Sequence, residues 1–150
     1  MIFYCNKSIF DMTTEAIVNT VNTEGVMGKG LALQFKLKYP LMYQEYKRQC
    51  LRRDFKTGMV MPIRIGEFNP QWCINFPTKS LWRLPSEMSY ITEGLQALKW
   101  AIDELGIRSI AIPKLGCNNG GLPWKDVHAE IVNALKDVSI AIHIMGDKPE

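Results

Sequence analysis

Apolar and polar positions change period several times along this chain, and each change marks an element. Ile2, Phe3 and Tyr4 form an apolar run within Met1 to Cys5, which predicts a first strand with Lys7 and Ser8 in the turn after it. A polar connection, Asp11-Met-Thr-Thr14, leads into Ala16 to Val21, an apolar β-type run that predicts a central strand. An Asn- and Gly-rich turn follows. From about Gly30 onward Leu31, Phe35 and Tyr39 recur at helical spacing, and Pro40 ends that helix. A second helix is predicted from Met42 to about Arg53, with Tyr43, Tyr46 and Cys50 on its inner face. Lys56-Thr-Gly58 reads as a turn, and Met59 to Ile65 alternates as a strand that Pro62 assigns to a sheet edge.

Trp72 to Phe76 reads as another strand, followed by the loop Pro77 to Pro85. The clearest helix runs from Glu87 to Leu105, where Met88, Ile91, Leu95, Leu98, Ile102 and Leu105 fall at steps of three and four. Ser86 is its expected N-cap, and Gly106 closes it. Arg108 to Ile112 is a short apolar strand of the kind buried in parallel sheets. A second Gly-rich loop, Gly116 to Leu122, precedes Pro123, which suits a helix's first turn, and Val127, Ile131 and Leu135 carry the buried stripe of that helix. Val138 to Ile144 alternates as a last strand.

Strands therefore alternate with helices, which predicts a three-layer α/β domain, and no repeat, linker or low-complexity run interrupts it. Two Gly/Asn loops each join a strand's end to a helix's start, so both can lie on one edge of the sheet. There, helix N-termini and glycine backbones accept phosphate closely. No Walker A pattern can be drawn through the first loop. Facing each other, the two loops suit a diphosphate, and the pattern by itself points to a nucleotide-like ligand.

Composition narrows the setting. The chain of 150 residues suits one domain with a sizeable core, and its 47% hydrophobic and 22% charged residues are ordinary for a soluble globular protein. No stretch approaches the ~20 apolar residues of a membrane span, and no signal peptide opens the chain. Cys5, Cys50, Cys73 and Cys117 are scattered without a C-x-x-C pair, which points away from zinc and disulfides and toward the cytoplasm. The net charge of +3 permits an anionic ligand without demanding nucleic acid. Lys47, Arg48, Arg52, Arg53 and Lys56 form the one dense basic cluster, either a solvated helix face or a patch that steers a phosphate backbone.

Much standard catalytic machinery is missing. His128 and His143, the only histidines, lie in the last helix and last strand without metal-ligand spacing, and both read as structural or surface residues. No H-E-x-x-H, G-x-S-x-G or paired-carboxylate motif is present. Lys79 lies just past a strand end among apolar and aromatic residues. It reads either as an ordinary exposed lysine or as an amine whose lowered pKa lets it attack an electrophilic carbon or act as a base. Asn19 and Asn22 are placed to bind sugar hydroxyls or simply to make a turn. Asp11 can accept from an exocyclic amine or cap its turn through Thr13 and Thr14, and Trp82 can stack on a base or cover the core.

Taken together, these residues resemble a macrodomain. Asp11-Met12 resembles the family's adenine-binding pair, Ala16-Ile-Val-Asn-Thr-Val-Asn22 its strand-to-Asn motif, and Gly116 to Leu122 the loop that wraps the diphosphate. Three longer stretches are similar to the DarG-type antitoxin macrodomains, relatives of the human terminal ADP-ribose glycohydrolase: Val21 to Lys36, Asn75-Phe-Pro-Thr-Lys79, and Pro113 to Trp124. They extend the resemblance from about residue 1 to 145. It implies a three-layer α/β/α fold with a mixed, mostly parallel sheet of about six strands. It further implies ADP-ribose bound across the sheet's carboxyl edge and its removal from a base, thymine in the family, of single-stranded DNA, which reverses a DarT-type toxin.

By the same resemblance Asp11 holds the adenine amine, Met12 the ring through its backbone, Asn22 the distal ribose, and Lys79 is the catalytic lysine at the anomeric carbon. Gly28, Lys29, Gly30 and Leu31 shape the first loop, and Thr78 falls within the lysine motif. Gly116, Cys117, Asn118, Asn119, Gly120 and Gly121 surround the phosphates. The expected partners are ADP-ribose, ADP-ribosylated single-stranded DNA and a DarT-type toxin, with no metal, no cofactor and no membrane.

Two departures from the family pattern matter. Asn118 replaces the usual glycine of Cys-Gly-Asn-Gly-Gly, which places a Cβ where backbone meets phosphate and requires a negative or αL φ. The human relative's catalytic Asp has no counterpart within Asn119-Gly120-Gly121. The chain is also short for a full antitoxin, which carries a further toxin-binding region. Three rival readings stay open: a module that binds ADP-ribose without turnover, a hydrolase of protein-linked ADP-ribose or O-acetyl-ADP-ribose, and an unrelated nucleotide-binding α/β domain.

Overall fold

A computed structural model describes residues 1–150. In chain order its elements are β1 (Ile2–Cys5), a 3-10 turn (Ile9–Asp11), β2 (Ala16–Val21), α1 (Gly30–Lys38), α2 (Pro40–Leu51), β3 (Met61–Arg64), β4 (Trp72–Pro77), α3 (Met88–Leu105), β5 (Ser109–Ile112), α4 (Trp124–Leu135) and β6 (Ala141–Met145). The strands make one six-stranded sheet in the order β1-β6-β5-β2-β4-β3. Only β3 runs antiparallel to its neighbour. It lies at the edge, as Pro62 predicts, because a residue without an N–H cannot serve two neighbours.

Strand alternation divides the core into two layers. Ala16 and Val18 of β2 face one way, onto Leu95 and Leu98 of α3 and Val127 and Ile131 of α4. Ile17 and Val21 face the other way, onto Phe35 of α1 and Met42 and Tyr46 of α2. The central strands are covered on both faces, which is why they read as continuous apolar runs. No helix is long and apolar enough to cross a membrane.

Several element ends differ from the sequence reading: β3 is shorter than Met59–Ile65, α2 stops at Leu51 rather than near Arg53, and three further differences have a local cause. Pro40 both stops α1 and opens α2, two residues before the expected start, because a helix's first turn needs no proline N–H. The last strand begins at Ala141 rather than Val138, since the Val138 N–H closes a turn onto Leu135 instead of entering the sheet. Ser86 does not cap α3. Glu87 holds the cap position, without a side-chain bond, and Ser86 is buried beneath the second glycine loop.

Candidate active-site cleft

β2 is flanked by β4 and β5, parallel to both, so the connections that leave these strands emerge at one edge of the sheet. Residues of all three line a cleft of about 510 Å³.

The first connection, between β2 and α1, is organised around one side chain. The Asn22 carboxamide oxygen accepts from the N–H groups of Glu24, Gly25 and Val26 at 3.1, 3.2 and 3.3 Å, and its nitrogen donates to the Val26 carbonyl at 2.8 Å. The buried Tyr46 hydroxyl of α2 donates to Asn22 at its carbonyl (2.8 Å) and side-chain oxygen (2.9 Å). Burial pushes the Tyr46 phenol far above its usual range, so it stays a donor at any physiological pH. Gly30 then turns the chain into α1 with φ +61°, and a Cβ there would come 3.0 Å from the Asn119 amide across the cleft. The uncapped first turn of α1 leaves backbone N–H groups available to an anion.

The second connection follows β4 and carries Lys79. It is fastened to the first loop: Thr78 N–H donates to the Val21 carbonyl (2.9 Å), and Thr23 donates through both N–H and hydroxyl to the Ser80 carbonyl (3.1 and 3.0 Å). The Glu24 carboxylate accepts from Trp82 N–H at 2.7 Å, while the Lys79 amine donates to the Trp82 carbonyl at 3.2 Å. Lys79 is half-buried. Burial, and secondarily the positive charge of Lys29, hold its amine below the usual lysine range.

The third connection follows β5 and is shaped by sterics. Leu122 N–H closes onto the Gly116 carbonyl (2.9 Å), and Ser86 N–H donates to the Gly120 carbonyl (3.0 Å). A Cβ at Gly120 would overlap the Ser86 hydroxyl and come 2.5 Å from the Gly116 oxygen. The backbone N–H groups of Asn118, Asn119 and Gly120 donate to no acceptor within the protein. Such a run of free donors is suited to phosphate. Asn118 has a negative φ, since Arg53 is the only non-glycine residue with a positive one, so its Cβ brings no backbone strain. Burial raises the Cys117 thiol to about 11, which keeps it protonated and unreactive at neutral pH.

The site residues that the resemblance implies all line the cleft except Asp11, Met12 and Gly121. Asp11 and Met12 lie in the connection that leaves β1 at the same sheet edge, but Met12 is buried in the α1/α2 layer and Asp11 is exposed. Asn19 is fully buried and donates to the Asn75 side chain at 3.2 Å, so it belongs to the core rather than to a sugar site. Sequence reasoning missed Lys114, whose place directly after a strand and a proline was the available signal. With it, the lining holds three lysines and no carboxylate. Trp82 lines the cleft and is 53% exposed, so it does not cover the core. His128 accepts or shares a proton with the Tyr4 hydroxyl (2.6 Å) and His143 stacks on Phe3, both away from the cleft lining. The basic cluster is exposed along and beyond α2, with Arg48 bound to Glu45, and none of it lines the cleft.

This arrangement can hold an anionic diphosphate between two loops with an amine at one end. Residues 18–131 match the family model of the Macro domain. The chain belongs to that family. A DNA ADP-ribosyl glycohydrolase of Mycobacterium tuberculosis is 46% identical to this macrodomain over 147 residues, covering 95% of this chain and 42% of the relative. The macrodomain thus spans about two-fifths of that curated relative's length. The solved macrodomain of Thermus aquaticus DarG superposes with a TM-score of 0.93 at 43% identity, covering 98% of this chain and 99% of that one. Thermosipho africanus DarTG, solved in complex with ADP-ribose, superposes with a TM-score of 0.84 at 32% identity, covering 91% of this chain and 39% of that one. The six-stranded mixed sheet and the DarG-type likeness expected from the sequence are thereby borne out.

Proposed function

We propose that this macrodomain binds ADP-ribose in the cleft and removes it from ADP-ribosylated bases of single-stranded DNA, with Lys79 as nucleophile. The observation that carries the reading is the position of the Lys79 amine. It is half-buried at the end of β4, has a lowered pKa, and sits on a loop fastened to the first glycine loop. The relatives' names, DNA ADP-ribosyl glycohydrolase and DarG, support the substrate.

In this mechanism the free N–H groups of the Gly116–Gly121 loop and the first turn of α1 hold the diphosphate, with Lys29 and Lys114 balancing its charge. The neutral Lys79 amine attacks the anomeric carbon of the distal ribose. A nitrogen–carbon bond forms as the bond to the base breaks, and the departing base takes up the proton that the amine loses. The resulting aminoribose opens to an imine, and water releases ADP-ribose and restores the amine. Asn22, whose carboxamide holds the first loop in shape, forms with its remaining amide hydrogen the wall that meets the distal ribose. Asp11 and Met12 reach the adenine where it projects along the sheet edge, beyond the cleft lining. The activity opposes a DarT-type toxin, and the four free thiols suit a reducing cytoplasm.

Borohydride added during turnover of an ADP-ribosylated oligonucleotide traps the imine as a stable adduct on the wild-type chain and none on Lys79→Ala. A protein that binds ADP-ribose but yields neither adduct nor product would be a reader module. That second reading draws on one observation, the absence of any carboxylate from the cleft lining. Faster release from modified protein than from modified DNA would reassign the substrate.

A further inference from the structure

Trp82 combines two features that rarely occur together. Its backbone is held on both sides of the Cα, the N–H by the Glu24 carboxylate at 2.7 Å and the carbonyl by the Lys79 amine at 3.2 Å. Trp82 is nonetheless 53% exposed and is one of the residues that line the cleft. Leaving a large aromatic ring in water on a fixed backbone gains nothing for the core, whereas it makes a preorganised stacking surface. The ring also has a defined place relative to the chemistry. The amine that meets the anomeric carbon is hydrogen-bonded to the backbone of the same residue, and the leaving group is attached to that carbon. A planar leaving group therefore departs from a point close to Trp82.

We infer that Trp82 is the specificity-determining platform of the cleft: it stacks on the nucleobase that carries the ADP-ribose, and Glu24 is the positioning residue that fixes it. The inference rests on the DNA-base reading of the substrate given above. Base stacking on an aromatic side chain tolerates any base, so the platform selects a planar leaving group over a flexible protein side chain without demanding one sequence. Glu24 acts through the Trp82 peptide and touches no reacting atom. Its variant Glu24→Gln keeps an acceptor oxygen for that N–H, while Glu24→Ala does not.

The test compares affinity for an ADP-ribosylated single-stranded oligonucleotide with affinity for free ADP-ribose, taken from the rapid binding phase before any bond is cut. The wild-type chain is expected to bind the modified oligonucleotide more tightly. Trp82→Ala is expected to lower the ratio of the two affinities by roughly ten- to a hundredfold, Trp82→Leu to lower it similarly, and Trp82→Phe to retain most of it. Glu24→Ala is expected to reduce the ratio and Glu24→Gln to restore it. An unchanged ratio in Trp82→Ala, or an equal loss of affinity for both ligands, overturns the inference. Turnover is scored separately on the same samples: a wild-type chain that cleaves nothing refutes the hydrolase reading, yet the affinity ratio still reads the platform.

Discussion

The two glycine loops that face each other across the cleft are built on opposite principles. The first is held by side chains: Asn22 gathers three backbone N–H groups, and Tyr46 and Glu24 tie the loop to α2 and to the lysine loop. The second is held by the lack of side chains, with Gly120 packed against Ser86 and the Gly116 carbonyl where a Cβ would collide. Consequently the first loop spends the N–H groups of Glu24, Gly25 and Val26 on its own hub and keeps free donors only further on, toward the first turn of α1, whereas the second leaves those of Asn118, Asn119 and Gly120 free at its tip. A side-chain hub gives a loop that positions neighbours, here the Lys79 segment. A close-packed glycine loop gives one that presents backbone to a ligand.

The sharpest way to break this contrast is Gly120→Ala. The added carbon must displace backbone, so a loss of about 3 kcal/mol is expected, at the upper end of overpacking costs. Thermal melting reads that loss, and calorimetry should find ADP-ribose binding abolished or nearly so. The first loop has a different weak point. Asn22→Ala leaves three N–H groups without their acceptor and is expected to cost about 1–3 kcal/mol in chemical denaturation. Asn22→Asp keeps the acceptor oxygens but adds a charge at the cleft. It should melt closer to wild type yet bind ADP-ribose more weakly than Asn22→Ala, because the ligand is anionic.

The Lys79 segment can be addressed through pH. In the proposed mechanism the nucleophile is the neutral amine, so the rate is expected to rise with pH through the Lys79 pKa, which burial and Lys29 hold below that of a free lysine. Lys29→Gln removes the smaller of these two causes. The rising limb should then move to higher pH, with a lower rate at neutrality, and a pH–rate profile checks it. A limb that does not move would detach Lys29 from the chemistry. The mildest change is Tyr46→Phe, which deletes one buried hydroxyl from the Asn22 hub. About 1 kcal/mol is expected from it, visible in the denaturation midpoint, with little effect on the second glycine loop, to which the Tyr46 hydroxyl makes no hydrogen bond.

How much was legible beforehand can be judged from particular residues. Gly116 to Gly121 and Gly28 to Leu31 could be assigned to one edge because a strand that ends in a glycine loop before a helix is a local pattern, whereas Lys79, on a loop without glycine, was singled out by the family resemblance. Glu24 and Ser86 could not be read that way. Glu24 acts on a residue 58 positions further along, and sequence spacing carries no trace of such a bond. Ser86 has the right identity and offset for an N-cap, and only the packing of the β5–α4 loop over it draws it inward. Lys114 was passed over because its place after a strand and a proline marks the sheet edge but does not tell which way its side chain turns.

By itself the sequence determined the alternation of strands and helices, the two loops and the family they carry, because periodicity and glycine placement act through neighbours in the chain. Tertiary structure alone decided which donors remain free, that Asn22 serves the loop through Tyr46, that Asn19 is core, and that Asp11, Met12 and Gly121 lie outside the cleft lining. Those outcomes depend on contacts between segments far apart in the chain. Burial and hydrogen-bond saturation are properties of the assembled fold, and no residue carries them alone.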